Sequence, residues 1–190
     1  MSSPHLRQLV IWLAILFILV GSFGVVYGWY RYTFPYGAKH ACLKCLGFSL
    51  LNYAEQHDGR FPAGGGCPEA SLSLLYREHY LVDAYTLSGK TKSTEDAREI
   101  LERGELLGPE TCDWHYVEGL TLSDDPRLAL VWDKVGLGHD GQRLPEGGHS
   151  VWRLHGPEEV IPGSKWQEFL EEQARLMAAR TETARKGRLP

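Results

Sequence analysis

Residues 84–91 read AYTLSGKT and residues 128–133 read LALVWD. How these two stretches are read decides the fold. A Gly-Lys-Thr turn cradles phosphate when a strand leads into it and a helix begins at the Lys-Thr, because backbone N–H groups and the helix dipole then face the anion. An apolar strand ending in Asp is the companion element that holds magnesium. If both readings hold, the sheet is parallel with crossover helices. If they fail, successive strands without intervening helices make an antiparallel meander.

The surroundings of AYTLSGKT go against the phosphate reading. Tyr80-Leu81-Val82 is the strand candidate before it, and Asp83 ends that run. The next helix is capped by Ser93 or Thr94, too late for a phosphate loop, and Glu95 and Asp96 fill its first turn. Those carboxylates already exploit the positive end of the helix and would repel a triphosphate. The stretch is therefore expected to be the turn between two helices of an insertion. Ser88-Gly89 makes the bend, Lys90 and Lys92 are solvated, and Lys90→Ala is silent. No nucleotide is expected, and the element ending in Asp133 is expected to be a half-buried strand.

Downstream, the hydrophobic period is two. Trp114, Tyr116 and Glu118 alternate with His115 and Val117, and the 128–133 run alternates likewise. Val151 and Leu154 begin a third strand, and Val160-Ile161 lie in a fourth. Turn-rich connections separate them. Upstream, the period is helical. A helix is expected from about Ala38 to His57, with Cys42, Cys45, Leu46, Leu50, Tyr53 and Ala54 on its buried stripe. Ser71 to Leu81 and Ser93 to Arg103 are shorter helices of the insertion. A last helix from Ser164 turns Trp166, Phe169, Leu170, Ala174 and Met177 to the core. The fold class is thus α+β, an amphipathic helix on a small antiparallel sheet with a helical insertion and a C-terminal helix.

The first thirty residues belong to another environment. Residues 9–29 (LVIWLAILFILVGSFGVVYGW) carry no charge and are long enough to cross a hydrocarbon core of about 30 Å. Tyr27, Trp29, Tyr30 and Tyr32 form an aromatic belt at the far end. The apolar run exceeds a signal-peptide core and no small-residue cleavage site follows, so an uncleaved anchor is expected. Gly24 and Gly28 are read as ordinary membrane-helix composition. The expected organisation is a tail at 1–8, a transmembrane anchor at 9–30, an α+β domain at 31–178 and a basic, disordered tail at 179–190. With 190 residues and a net charge of -4, the chain offers no electrostatic footprint for nucleic acid.

Four cysteines leave three readings open. Cys42 and Cys45 form a CxxC, with Cys67 and Cys112 far apart beyond it. All four could bind zinc, although only one pair is closely spaced. Cys42 and Cys45 could be a redox pair, which needs a helix N-terminus, whereas Cys42 is expected about one turn into its helix. Or the cysteines are structural, with Cys67 and Cys112 bridging the insertion outside the cytoplasm and Cys42 and Cys45 as core residues or a local disulfide. A haem attachment is excluded in its usual form, since Leu46 follows the CxxC. His139, His149 and His155 near Asp140 are read as polar loop residues, and Asp124, Asp125 and Asp140 lack the spacing of a calcium loop. No catalytic residues, metal site or cofactor can be assembled.

The order of parts carries a resemblance. The landmarks are the apolar helix, then Tyr53-Ala54-Glu55-Gln56-His57-Asp58-Gly59-Arg60-Phe61-Pro62. Next come the insertion, Cys112-Asp113-Trp114-His115-Tyr116, and the strand ending Trp132-Asp133. Last are His139-Asp140-Gly141 and Val151-Trp152-Arg153-Leu154-His155-Gly156. Over residues 38–172 this resembles the bacterial type IV pilin-like and type II secretion pseudopilin-like proteins. The likeness is to the branch with a C-terminal His, spacer and Asp-Gly strand pair. The prepilin cleavage signature is missing, and His155 stands where that branch has Asp. The resemblance implies a non-enzymatic, membrane-anchored structural or protein-interaction module of an envelope or secretion system. Its partners would be lipid through residues 9–30 and envelope proteins. Arg31, Lys39 and Lys44 against Arg7 favour a cytoplasmic domain by the charge rule. The resemblance favours an extracytoplasmic domain on a single-pass inner-membrane anchor, which is the expectation adopted. The alternative is a thiol-redox or zinc-binding membrane protein working through Cys42 and Cys45.

Overall fold

The computed structural model describes residues 4–186. Helix α1 (Pro4–Thr33) is about 45 Å long at 1.5 Å per residue. It is long and apolar enough to cross a membrane, and none of its apolar stretch is buried against the rest of the chain. Phe34 N–H still bonds Tyr30 O, but Pro35 has no N–H to give, and Gly37 at φ +86° turns the chain away.

Helix α2 (Leu43–Gln56) begins later than its apolar spacing suggests. The expected start near Ala38 is displaced because Cys42 is extended and caps the helix: its Sγ accepts the Cys45 N–H at 3.1 Å. Residues 38–41 instead run against the loop around residue 139, where Ala41 N–H bonds His139 O. The helix ends as expected at His57-Asp58-Gly59, with Asp58 and Gly59 both at positive φ and Gly59 N–H returning to Ala54 O. The insertion holds α3 (Pro68–Arg77), α4 (Ala84–Ser88) and α5 (Thr94–Glu102). Helix α3 starts earlier than expected because Pro68 suits a first helical turn. Ser93 caps α5, its Oγ accepting the Asp96 N–H.

Strands β1 (Trp114–Tyr116), β2 (Ala129–Asp133), β3 (His149–Arg153) and β4 (Glu159–Ile161) form one antiparallel sheet in the order 1-2-3-4. Trp114 pairs with Asp133, Trp132 with Val151, and Ser150 with Val160. The meander excludes the parallel sheet that the phosphate-loop reading required. A bulge between Ala129 and Val131 breaks the period of two. As a result Leu130 and Val131 join the core under α2 and α3, with Leu46, Leu50, Leu72, Leu75 and Trp152, while Ala129 and Trp132 face the other way with Val151 and Phe169.

That second face is covered by α6 (Gly163–Lys186), so β2 is buried on both sides rather than half-buried as expected. The registry of α6 is set by Phe169 and by Gln173, whereas Ala174 is exposed. Gln173 Oε1 accepts the Ala129 N–H at 2.8 Å and satisfies the strand at its bulge. The expected disorder from 179 onward is also corrected, since the helix continues to Lys186. Arg180 Nε holds Asp124 Oδ1 at 2.6 Å and fastens the helix to the β1–β2 connection. The remainder of that tail, 187–190, lies outside the described residues.

Helix α2 meets the sheet at Gly47, where a Cβ would run into the indole of Trp152. Trp152 is itself buried. In an open helix Gly→Ala gains about 1 kcal/mol. Here Gly47→Ala is expected to cost about 1–3 kcal/mol through overpacking. Urea unfolding of the detergent-solubilised chain measures it, and a gain in stability would contradict this packing.

Candidate functional site

The two stretches that pose the nucleotide question do meet, but with each other. Gly89 at φ +75° turns the chain inward after α4, so close to Asp113 that a Cβ would collide with its side chain. Asp113 N–H bonds Ser88 O, and Asp113 Oδ2 accepts the Thr91 N–H at 3.1 Å. This zipper delivers Lys90 into the interior. The expectation that Lys90 is solvated is wrong, since only 2% of its side chain is exposed. Its Nζ donates to Leu137 O at 2.8 Å, lies 3.6 Å from Asp133 Oδ2, and sits 5.4 Å from the ring centre of Trp114. Trp114 Nε1 in turn donates to Thr86 O in α4. Lys92 is partly covered, with its Nζ 3.6 Å from Glu110.

Asp133 serves several groups from the end of β2. Its Oδ2 also accepts the Leu137 N–H, and its Oδ1 is 2.9 Å from His149 Nδ1 on β3. Burial lowers the Lys90 pKa from the ordinary lysine value, against the opposing charge of Asp133. Burial alone would lower the His149 pKa too, but the hydrogen bond and charge of Asp133 outweigh it and raise the value. Burial raises the Asp113 carboxyl against the bonds from Thr91. The ammonium that could have met phosphate is thus engaged by a carboxylate and a carbonyl inside the protein.

The cysteines divide into two places, and all four are free thiols. Cys42 caps α2, so the pair sits at the helix N-terminus rather than a turn inside it. Cys45 is exposed, yet its thiol is pushed up to about 11 by its hydrogen bond with Cys42 and by burial. Cys67 stands just before α3 without a side-chain capping bond, and Cys112 lies buried just before β1. A polar cluster links their surroundings: Lys134 Nζ binds Glu69 Oε1 at 2.6 Å and Cys112 O at 3.0 Å. Burial pushes the Cys112 thiol up to about 12.

The histidines that are near in sequence separate in space. His149 goes to Asp133, and His155 Nε2 to Leu122 O at 2.8 Å. His139 and Asp140 instead meet His40, which sequence reasoning missed because it lies about a hundred residues away, in the stretch assigned to a helix. The three aspartates also separate, Asp124 pairing with Arg180, Asp125 with Arg127 and Asp140 with His40.

Because the folded His149 has a raised pKa, its pair with Asp133 contributes stability fully below about pH 6.5, the unfolded value. That contribution is lost as pH rises through the folded value. The stability difference between the wild-type chain and His149→Gln is expected to be largest at acid pH and to shrink above neutrality. Urea midpoints across pH measure it, and a difference that grows with pH would contradict the pairing.

Compared with known proteins, the chain matches no family model, no curated protein and no solved structure.

Proposed function

We propose that this chain is a single-pass membrane protein whose pilin-like α+β domain lies on the outer side of the inner membrane and binds other proteins of an envelope or secretion system. The observation that carries the reading is the junction of α1 with the domain. A fully exposed apolar helix leads within ten residues into an amphipathic helix laid on a four-stranded antiparallel meander. A helix exposed over its whole apolar length is stable in lipid, where its backbone is satisfied internally and its side chains need no other cover. The anchor would hold the domain at the surface through residues 9–30.

An exposed aromatic supports the interaction role. Phe48 on α2 is 50% exposed and stands edge-on to Trp152 at 5.3 Å. With Leu51, Leu122, Leu154 and Pro157 it lines a groove of about 490 Å³. Aromatic anchors in apolar pockets are where protein contacts concentrate their energy. The thiol-redox alternative is less favoured, because the thiol of the accessible Cys45 is pushed up by its hydrogen bond with Cys42 and by burial.

A photo-crosslinking residue at Phe48 is expected to yield a discrete adduct with an envelope protein in cells, whereas one at Glu102 on the outer face of α5 yields none. Absence of any adduct at Phe48, or the same diffuse adducts at both positions, would contradict the reading.

A further inference from the structure

At the foot of α1, two imidazoles and a carboxylate converge from segments distant in sequence. His40 Nδ1 lies 3.2 Å from Asp140 Oδ1, and the rings of His40 and His139 meet edge to face at 4.0 Å. One ligand atom from each of the three residues falls within 4.8 Å of the others. We infer that His40, His139 and Asp140 form a binding site for a divalent zinc ion, with the fourth position open to water.

The donor set is the one zinc takes in open tetrahedral sites, two imidazole nitrogens and a carboxylate oxygen. Ligands around 2.1 Å from a tetrahedral ion stand about 3.4 Å apart, close to the observed His40–Asp140 separation. The side chains of His40 and Asp140 are 49% and 64% exposed, so small rotations can close the remaining spread. The backbone beneath them is much less free. Ala41 N–H bonds His139 O, Asp140 N–H bonds Gln142 Oε1, and Gly138 N–H bonds Gln142 O. Gly141 sits at φ +85° with Gly37 and Lys39 so near that a Cβ would crowd them. The two segments are therefore held in register before any ion arrives, which lowers the cost of ordering the ligands. Lys39, beside His40, has its ammonium bonded to Lys92 O.

The position gives the ion a mechanical role. The same loop continues into Arg143, whose N–H bonds Thr33 O at 2.8 Å and whose Nε bonds Tyr32 O at 2.9 Å. Zinc at His40, His139 and Asp140 would staple the chain leaving the apolar helix to the loop that receives the end of that helix. The inference goes beyond the interaction role proposed above and does not use the cysteine pair.

The test uses the full chain without a polyhistidine tag, purified in detergent micelles and titrated calorimetrically with Zn²⁺. Stoichiometric binding of one ion per chain is expected. His40→Ala and His139→Ala should each weaken it by about tenfold or more, at least what losing an outer-shell partner costs. A Cys42→Ser/Cys45→Ser chain should bind as the wild type does. Co²⁺ should give a tetrahedral spectrum without thiolate charge transfer. The inference is overturned if no one-to-one binding occurs, if both histidine variants bind like the wild type, or if binding is lost only with the thiols.

Discussion

The ion pair between Lys90 and Asp133 is the contact on which the arrangement of this domain turns. It lies almost wholly out of water, so its charges cannot be solvated separately. Removing water from two charges costs several kcal/mol each, and the pair tolerates this because further hydrogen bonds complete both partners. Lys90 is completed by Leu137 O, and Asp133 by Leu137 N–H and His149. The pair therefore specifies a position. It binds the helical insertion to the end of β2, and through His149 to β3. The zipper of Ser88, Thr91 and Asp113 sets the depth to which the lysine enters.

A sheet of short strands needs cover on both faces, and the domain supplies it from opposite ends of the chain. Helices α2 and α3 lie on one side, and α6 on the other. The bulge in β2 lets one strand feed both cores, and Gln173 repairs the hydrogen bonding that the bulge disturbs. Arg180 carries the same helix past its apolar stretch by binding Asp124. The polar residues of α6 are thus structural wherever the strand geometry is irregular.

Period and punctuation made the antiparallel order of the strands legible. Trp114 and Tyr116 alternate with His115, and no helical pattern separates that run from the apolar run at 128–133. The apolar α1 was equally plain, and the cap of α5 was narrowed to Ser93 or Thr94, of which the structure uses Ser93. What escaped was set by tertiary contact. Lys90 looks like any turn lysine until Asp133 is placed beside it. Cys42 looks like a stripe residue until its sulfur is seen capping the helix. Arg180 falls after the apolar period ends, where its guanidinium reaches Asp124 and the Gly119 carbonyl in the β1–β2 connection. His40 had no local signal, because its companions His139 and Asp140 come from the other end of the fold. The α-β-α layering, with α2 and α3 on one face of the sheet and α6 on the other, is likewise not encoded in the order of the sequence landmarks.

The lysine of AYTLSGKT is an internal counter-ion to Asp133. A double-mutant cycle with Lys90→Met and Asp133→Asn tests it most directly, since Asn keeps an oxygen for Leu137 N–H while removing the charge. Lys90→Met alone is expected to cost about 3–5 kcal/mol by stranding a buried carboxylate. Adding Asp133→Asn should recover part of that loss, with a coupling of about 1 kcal/mol or more. Strictly additive losses, or a Lys90→Met chain as stable as the wild type, would contradict the account.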